Sequence, residues 1–139
     1  MAHYAGDLPS KEAWDLLALD LEAVLVDVRT DAEWNFVGIP DLSKISKSPI
    51  LLQWLAFPDS DLNEQFGGQL EATGIHKDTT LLFLCRSGQR SAAAASLMTG
   101  RGFTRCFNIS DGFEGNPNND RHRSANNGWK YSGLPWTQS

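Results

Sequence analysis

The residues of this chain with the clearest chemical potential are a cysteine and the two arginines that follow it. Cys85 ends the apolar run LLFLC, and Arg86 and Arg90 stand in a turn that precedes an alanine-rich segment. The pattern predicts a strand, a turn and a helix, with Cys85 close to the first N–H groups of the helix, which have no partner within it. These groups and the helix dipole favour a thiolate over a thiol and can hold an anion beside it. The segment therefore predicts a nucleophilic sulfur next to an anion-binding turn.

The same cysteine has a simpler interpretation, because a lone cysteine at the end of a strand is often an inert, buried apolar residue. Its neighbours favour the reactive interpretation. Gly88 gives the turn conformational freedom, and Ser87 and Ser91 can cap the helix. Two arginines would be unusual neighbours for a cysteine that stays inert in a core.

Apolar runs and capping signals divide the chain into alternating strands and helices. Strands are expected at 23–28, 49–54, 80–84 and 106–109. A first helix is expected after a cap at Ser10, with apolar positions Trp14, Leu16, Leu17 and Leu21, and a second from the capping box of Thr30 and Glu33 through Val37. A third is expected after a cap at Ser60 or Asp61, with apolar positions Leu62, Phe66 and Leu70. A fourth is expected at 88–100, closed by Gly100 or Gly102. This order predicts right-handed crossovers and an α/β fold, with a mainly parallel central sheet and helices on both faces.

In such a sheet, ligands bind beyond the carboxyl ends of the strands. Three polar segments fall at such ends: Cys85 and its turn, residues 27–29, and residues 110–113. The second cysteine, Cys106, begins a strand instead of ending one. Parallel pairing would place it about 13 Å from Cys85, whereas a disulfide bridge needs about 7 Å or less. Cys106 is therefore predicted to be a core residue and not a redox partner.

The sequence CRSGQRS at 85–91 resembles the active-site loop of the rhodanese-like sulfurtransferases, especially the single-domain type. The resemblance continues in VDVR at 26–29, in EW at 33–34 with GIP at 38–40, and in a closing pattern formed by Gly102, Phe103, Asn108, Asp111, Gly112, Trp129, Gly133, Leu134 and Pro135. It covers about residues 8–137. It implies one rhodanese-like domain over residues 1–139, with four to five strands in the central sheet.

The resemblance also implies a reaction. Cys85 would be the catalytic nucleophile: it would take the outer sulfur of a donor such as thiosulfate, release sulfite, and carry a persulfide until cyanide or a thiol removes it. The substrate-binding residues would be Arg86, Ser87, Gly88, Gln89, Arg90 and Ser91. Backbone N–H groups would stabilise the persulfide, the arginines would orient the sulfonate end of the donor, and the serines would brace the loop. The persulfide is covalent, so no cofactor is expected.

Asp27 and Arg29 are expected to support the site. The family usually carries this pair at the end of its first strand. The two residues either tune the electrostatics of the site or brace neighbouring loops, with Glu33 as a candidate partner, and bracing is favoured.

Three features depart from the family pattern. No histidine stands between Gly38 and Ile39, Asp111 occupies the first position of the usual Gly-Gly pair, and residues 114–128 form a long polar insertion. That insertion is either a solvated excursion or a lid or docking surface above Cys85, and His122 within it is a candidate to face the pocket.

Composition limits the partners. The chain has 139 residues and a net charge of −5, so a nucleic-acid surface is not expected. It has no run of 18 apolar residues, so no membrane span is expected, and its opening lacks the features of a signal peptide.

Two cysteines in such a chain suit the reducing cytoplasm. The histidines His3, His76 and His122 have no metal-ligand spacing with the cysteines, so no metal site is expected. The expected partners are a small anionic sulfur donor and a thiol or protein acceptor.

Two other functions remain open. The first is a non-catalytic or regulatory rhodanese-like interaction module. The second is phosphatase or arsenate reductase chemistry, which uses a related loop with an arginine six residues after the cysteine. Here that position is Ser91, and the arginine comes one residue earlier. The shorter loop favours a sulfur atom over a phosphoryl group.

Overall fold

The computed structural model describes residues 3–56 and 61–138. In this part of the chain the strands are β1 Gly6–Leu8, β2 Val24–Asp27, β3 Ile39–Pro40, β4 Ile50–Leu51, β5 Leu55–Ala56, β6 Asp61–Leu62, β7 Leu81–Leu84, β8 Cys106–Ile109 and β9 Trp136–Thr137. The helices are α1 Ser10–Leu19, α2 Asp31–Phe36, α3 Phe66–Glu71 and α4 Gln89–Gly100, and a 3-10 turn covers Ser43–Ile45.

Five of these strands form one parallel sheet in the order β1-β8-β7-β2-β4. β7 lies in the middle of the sheet and is buried along its whole length. The expected α/β fold with a mainly parallel sheet of four to five strands is confirmed. Because all five strands run the same way, β2, β7 and β8 end at the same edge of the sheet, which brings Asp27, Cys85 and Ser110 to that edge.

The two faces of the sheet bury separate hydrophobic clusters. In β7, Leu81 and Phe83 belong to one cluster, and Leu82 and Leu84 belong to the other. The first cluster also contains Phe66 and Leu70 of α3, Ala94, Ala95 and Met98 of α4, and Cys106. The second contains Ala13 and Leu17 of α1, Ile109, Phe113 and Trp129. The alternation along one strand thus places helices on both faces, as expected.

Several short strands were not expected from the sequence. β1 adds a parallel edge to β8, β3 pairs with β9 and β5 pairs with β6, the last two pairs antiparallel. Each of these strands has two or three residues, which is too short to produce a readable alternation of apolar and polar side chains.

The expected cap at Ser10 is wrong. Pro9 occupies the cap position of α1 without a side-chain hydrogen bond. Ser10 instead donates its N–H and its hydroxyl to Oδ1 of Asp111, at 3.0 and 2.7 Å. A carboxylate distant in sequence thus satisfies the helix start, which local sequence cannot reveal. The helix also ends at Leu19, so Leu21 lies outside it and is exposed.

The helix expected from Leu62 to Leu70 is wrong in its first half. Asp61 and Leu62 form β6, and α3 begins only at Phe66. Two adjacent glycines at 67 and 68 weaken the helical preference of this segment, which keeps the helix short. The alternative cap, Ser60, lies outside the described residues. The strand expected at 49–54 is also shorter, since β4 contains only two of these residues.

Other expectations are confirmed. Thr30 and Glu33 form the capping box of α2, each side chain accepting the other residue's backbone N–H. Both cysteines are free, and Cys106 pairs in register with Leu81 at the opposite end of β7 from Cys85. Burial raises the pKa of the Cys106 thiol, as befits a core residue.

The chain end packs against the body of the domain. Trp129 is fully buried, and its indole N–H donates to the carbonyl of Pro135 at 2.7 Å. β9 then pairs with β3, so closely that a side chain at Gly38 would clash with the backbone of Thr137. In the described residues, no helix combines the length and apolar character that crossing a bilayer requires.

Candidate active site

Cys85 lies between the central strand and helix α4, at the carboxyl edge of the sheet. Its Sγ accepts the backbone N–H of Gly88 at 3.1 Å, and the Ser91 hydroxyl lies 3.2 Å away. The residue is only 1% exposed. The sulfur is therefore held by donors on its own loop, in a largely dry environment.

The backbone of this loop has donors to spare. Within the described residues, the N–H groups of Arg86, Ser87, Gln89, Arg90 and Ser91 donate to no protein acceptor, while that of Gly88 donates to Sγ. Several of these groups open a helix, where the dipole adds to their positive character. A turn with this many unused donors is suited to an anion.

Two glycines make the loop sterically possible. Gly88 has φ of +107°, and a side chain there would clash with the carbonyl of Ser110. Gly112 lies against the backbone of Arg86, where a Cβ would have no room. The cysteine loop and the segment after β8 thus pack backbone to backbone, which only glycine permits.

The segment after β8 also fixes the loop by hydrogen bonds. Phe113 donates its N–H to the carbonyl of Cys85 at 2.8 Å. Glu114 and Gly115 both donate to the carbonyl of Arg86 at 3.1 Å. The polar insertion therefore begins in direct contact with the cysteine loop.

Ser91 connects the sulfur to a buried polar chain. Its hydroxyl lies 2.6 Å from Oδ1 of Asn108, besides its contact with Sγ. Asn108 uses its amide hydrogens on Asp7 and on the Gly88 carbonyl, so its Oδ1 is left to accept. One serine hydrogen thus serves two acceptors, and ionisation of Cys85 would draw it toward the sulfur.

Arg90, which the sequence predicts to face the donor, is held by a carboxylate. Its Nη1 and Nη2 lie 2.7 and 2.9 Å from the two oxygens of Glu33, and both side chains are about one-fifth exposed. Burial raises the pKa of Glu33, but hydrogen bonds and charge from Arg90 outweigh it and keep this pKa below its ordinary value. The pair joins α4 to α2 and neutralises the guanidinium.

Asp27 and Arg29 form a fully buried ion pair at the end of β2. Two nitrogens of Arg29 donate to the carboxylate at 2.9 and 2.7 Å, and one of them also donates to the Gly38 carbonyl at 2.8 Å. The guanidinium stacks over the ring of Phe113 at 4.2 Å. Both residues thus connect the loops around the site, but Glu33 makes no ion pair with Arg29 and bonds to Arg90 instead.

A cleft of about 560 Å³ opens beside the loop. Its lining residues come from α2 and its two ends, β5, the cysteine loop and the polar insertion: Thr30, Ala32, Glu33, Val37, Leu55, Arg86, Arg90, Glu114 and Arg123. Cys85 is not among them, which agrees with its low exposure. A ligand in this cleft would meet mainly arginine and glutamate side chains.

A larger cleft of about 840 Å³ lies between α2, β4 and the segment before α3. Its lining includes Trp34, Gln53 and Asn63 but no cysteine, lysine, arginine or histidine. It offers neither a nucleophile nor a cation. The smaller cleft is therefore the candidate site, although it is not the larger of the two.

Residues 6–139 match the family model described as STR4 middle domain. The chain belongs to the STR4 middle-domain family. An uncharacterized protein of Rickettsia prowazekii is 43% identical over 128 residues, which span 91% of this chain and 93% of that protein.

Solved structures place this family member in a wider fold. Rv0390 from M. tuberculosis superposes with a TM-score of 0.90 and 43% identity, covering 98% of this chain and 99% of that one. Two more distant structures share only the fold. They are the polysulfide-sulfur transferase homodimer of Wolinella succinogenes (TM-score 0.63, 21% identity, 96% of this chain and 78% of that one) and a rhodanese-like domain protein of Staphylococcus aureus (TM-score 0.57, 19% identity, 78% of this chain and 87% of that one). The STR4 middle-domain fold seen here is thus rhodanese-like.

The remaining residues predicted from the sequence do not all contact the loop or line the cleft. Ser87 and Gln89 make no side-chain hydrogen bond within the described residues, and no side chain caps α4 at its start. His122 is exposed and does not line the cleft. Arg123, the next residue, does line it, and sequence reasoning missed it because nothing in the polar insertion distinguishes one cation from another.

The described residues contain no group of three or more histidine, cysteine, aspartate or glutamate side chains placed to hold a metal ion.

Proposed function

We propose that this protein is a sulfurtransferase that carries sulfane sulfur on Cys85. The observation that supports this most is the position of Sγ, which accepts an N–H at 3.1 Å inside a loop whose other N–H groups donate to no protein acceptor. A persulfide adds a second, anionic sulfur, and these groups are suited to stabilise it.

The first half of the reaction loads Cys85. The thiolate attacks the outer sulfur of thiosulfate, the S–S bond of the donor breaks, and its electron pair leaves with sulfite. A new S–S bond leaves Cys85 as an anionic persulfide. The Ser91 hydroxyl, 3.2 Å from Sγ, is placed to stabilise negative charge on the sulfur as the thiolate forms.

The second half discharges the persulfide. Cyanide, or a thiol in the cell, attacks the outer sulfur and leaves with it, and the electron pair of the broken bond returns to Sγ. No cofactor is needed, because the sulfur is held covalently throughout. The proposed partners are a small anionic donor and a thiol or protein acceptor in a reducing cytoplasm, with no nucleic acid or membrane.

A second candidate is a non-catalytic interaction module. Two observations favour it: Cys85 is 1% exposed, and the guanidinium of Arg90 is already paired with Glu33. In that case Cys85 would be a structural residue of the loop, and partners would bind the surrounding surface.

Turnover of thiosulfate and cyanide to thiocyanate separates these functions, and the second free cysteine offers a matched control. Cys85→Ser is expected to reduce the rate at least about 10³-fold because it removes the nucleophile. Cys106→Ser is expected to keep most of the specific activity of its folded fraction, since Cys106 lies in β8 and pairs with the end of the central strand that is far from Cys85. Equal loss in both variants, or no turnover by the parent protein, would contradict the proposal and favour the binding role.

A further inference from the structure

The cleft beside Cys85 is positively charged in a chain that is acidic as a whole. Its lining contains three arginines against two glutamates, whereas the whole chain has a net charge of −5. The three arginines differ in what already binds them, and this difference indicates which of them can bind a ligand.

Arg90 is the least available of the three. Both of its terminal nitrogens bond to Glu33, and the guanidinium is about four-fifths buried. A donor anion would have to displace a carboxylate that fits this arginine in a bidentate manner.

Arg86 has a fixed backbone and an available side chain. Its carbonyl accepts two N–H groups, from Glu114 and Gly115, which holds the residue in place. Its side chain is exposed and has no carboxylate within ion-pair distance in the described residues.

Arg123 reaches the same cleft from the polar insertion. Its Nη1 donates to the carbonyl of Gly115 at 2.6 Å, which leaves its other N–H groups for a ligand. In the part of the chain that the structure describes, it too has no carboxylate partner. Because Gly115 donates to the carbonyl of Arg86, two consecutive hydrogen bonds connect the arginines.

The insertion around Arg123 is folded onto itself. Ser124 donates its N–H to the carbonyl of Glu114 at 2.7 Å, and Gly128 donates to Oδ2 of Asp111 at 3.1 Å. The guanidinium is therefore held over the cleft by a defined loop.

We propose that Arg123, together with Arg86, binds the anionic end of the sulfur donor, and that Arg90 positions α2 against α4 instead. This inference rests on the proposed function and takes its donor class from there: a small sulfur donor with a terminal oxyanion, such as thiosulfate. The polar insertion thus supplies a specificity-determining residue.

The test compares Arg123→Gln with Arg121→Gln. Arg121 lies two residues before Arg123, and its side chain is exposed and outside the cleft, so the control removes the same charge without touching the proposed site. We expect KM for thiosulfate to rise about tenfold in the first variant because a charge-assisted contact is lost. We expect less than a twofold change in the second, and Arg123→Lys should recover part of the loss.

A second readout does not depend on sulfur transfer. The rate at which iodoacetate alkylates Cys85, divided by the rate for neutral iodoacetamide, reports how strongly the cleft attracts an anion. We expect Arg123→Gln to lower this ratio about fivefold and Arg121→Gln to leave it nearly unchanged. If Arg123→Gln changed both rates in parallel, it would only have altered access to the sulfur, and the inference would be overturned.

The two readouts also separate this inference from the proposed function. A ratio that depends on Arg123 in a protein that transfers no sulfur would support the anion site and reject the sulfurtransferase. Normal sulfur transfer with an unchanged alkylation ratio and an unchanged KM in Arg123→Gln would support the sulfurtransferase and reject the role of Arg123 in binding the donor.

Discussion

The two cysteines of the chain have different hydrogen-bond partners around their sulfurs. Both are buried and free. Cys106 lies in the core, where burial raises its pKa and keeps it a thiol. Cys85 instead accepts a backbone N–H and lies against a serine hydroxyl at the start of a helix. The difference lies in the donors around each sulfur and not in its burial.

Ser91 is the residue that most directly tests this view of the sulfur. Ser91→Ala would remove the hydroxyl near Sγ and leave Oδ1 of Asn108 buried without its donor. We expect the rate of persulfide formation to fall about tenfold and the free energy of unfolding to fall by about 1–3 kcal/mol. Stopped-flow loading with thiosulfate and urea denaturation measure the two effects.

Ser96→Ala is the matched control, because Ser96 lies in the same helix outside the cysteine loop and makes no side-chain hydrogen bond in the described residues. Its loading rate should stay within twofold of the parent rate. Equal rates in Ser91→Ala and the parent protein would show that the hydroxyl does not assist the sulfur.

At the scale of elements, the site is a contact between two loops that follow neighbouring strands. The turn after β7 packs on the segment after β8 through Gly88 and Gly112 and through the hydrogen bonds from residues 113–115. Helix α2 approaches from the other side through Glu33. The shape of the loop therefore depends on two other segments as well as on its own sequence.

Gly88→Ala tests the backbone contact. It places a side chain at a φ of +107° and against the carbonyl of Ser110, so we expect a loss of stability greater than about 2 kcal/mol, together with loss of sulfur loading. Gly74→Ala is the control, because Gly74 has a similar φ of +93° with no atom within 4 Å of the added carbon. The free energy of unfolding of Gly74→Ala should fall by about 1 kcal/mol, and its rate of sulfur loading from thiosulfate should stay that of the parent protein. Similar losses in both variants would mean that backbone conformation matters and the contact does not.

The ion pair between Glu33 and Arg90 predicts a dependence on pH. The pKa of Glu33 is lowered in the folded protein, so its contribution to stability is present above the unfolded value of about 4.3 and is lost as pH falls through the folded value. We expect Glu33→Gln to cost about 1 kcal/mol at pH 7. The difference from the parent protein should shrink below about pH 4.

Chemical denaturation from pH 7 to pH 3 measures this difference. Glu64→Gln, at an exposed position without an ion pair in the described residues, should show no such trend. If the loss in free energy of unfolding caused by Glu33→Gln stayed constant over the whole pH range, the ion pair with Arg90 would not be its cause.

At the scale of the whole molecule, the sequence predicts the parts of the fold whose signals are local and strong. β7 is a continuous apolar run, α4 is rich in alanine, and β8 is a short, mostly apolar segment; the positions of all three agree with expectation to within a residue. Two-residue strands such as β3 have no such signal, because their pairing with β9 is decided by how the chain end packs.

The contacts that the sequence could not reveal join distant positions. Glu33 and Arg90 are 57 residues apart, and Ser10 and Asp111 are 101 apart. Asp111 stands where the family pattern usually has the first glycine of a Gly-Gly pair. Its carboxylate accepts hydrogen bonds from both the start of α1 and the end of the polar insertion. The approach of Arg123 to the cleft depends on the folding of that insertion, so composition alone could not have placed it there.

The central claim is that Cys85 accepts sulfur, and the mass of the intact protein before and after exposure to thiosulfate tests it most directly. We expect a gain of one sulfur atom in the parent protein and in Cys106→Ser, no gain in Cys85→Ser, and reversal by cyanide. No gain in a parent protein whose Cys85 is a free thiol, or a gain that survives in Cys85→Ser, would contradict it.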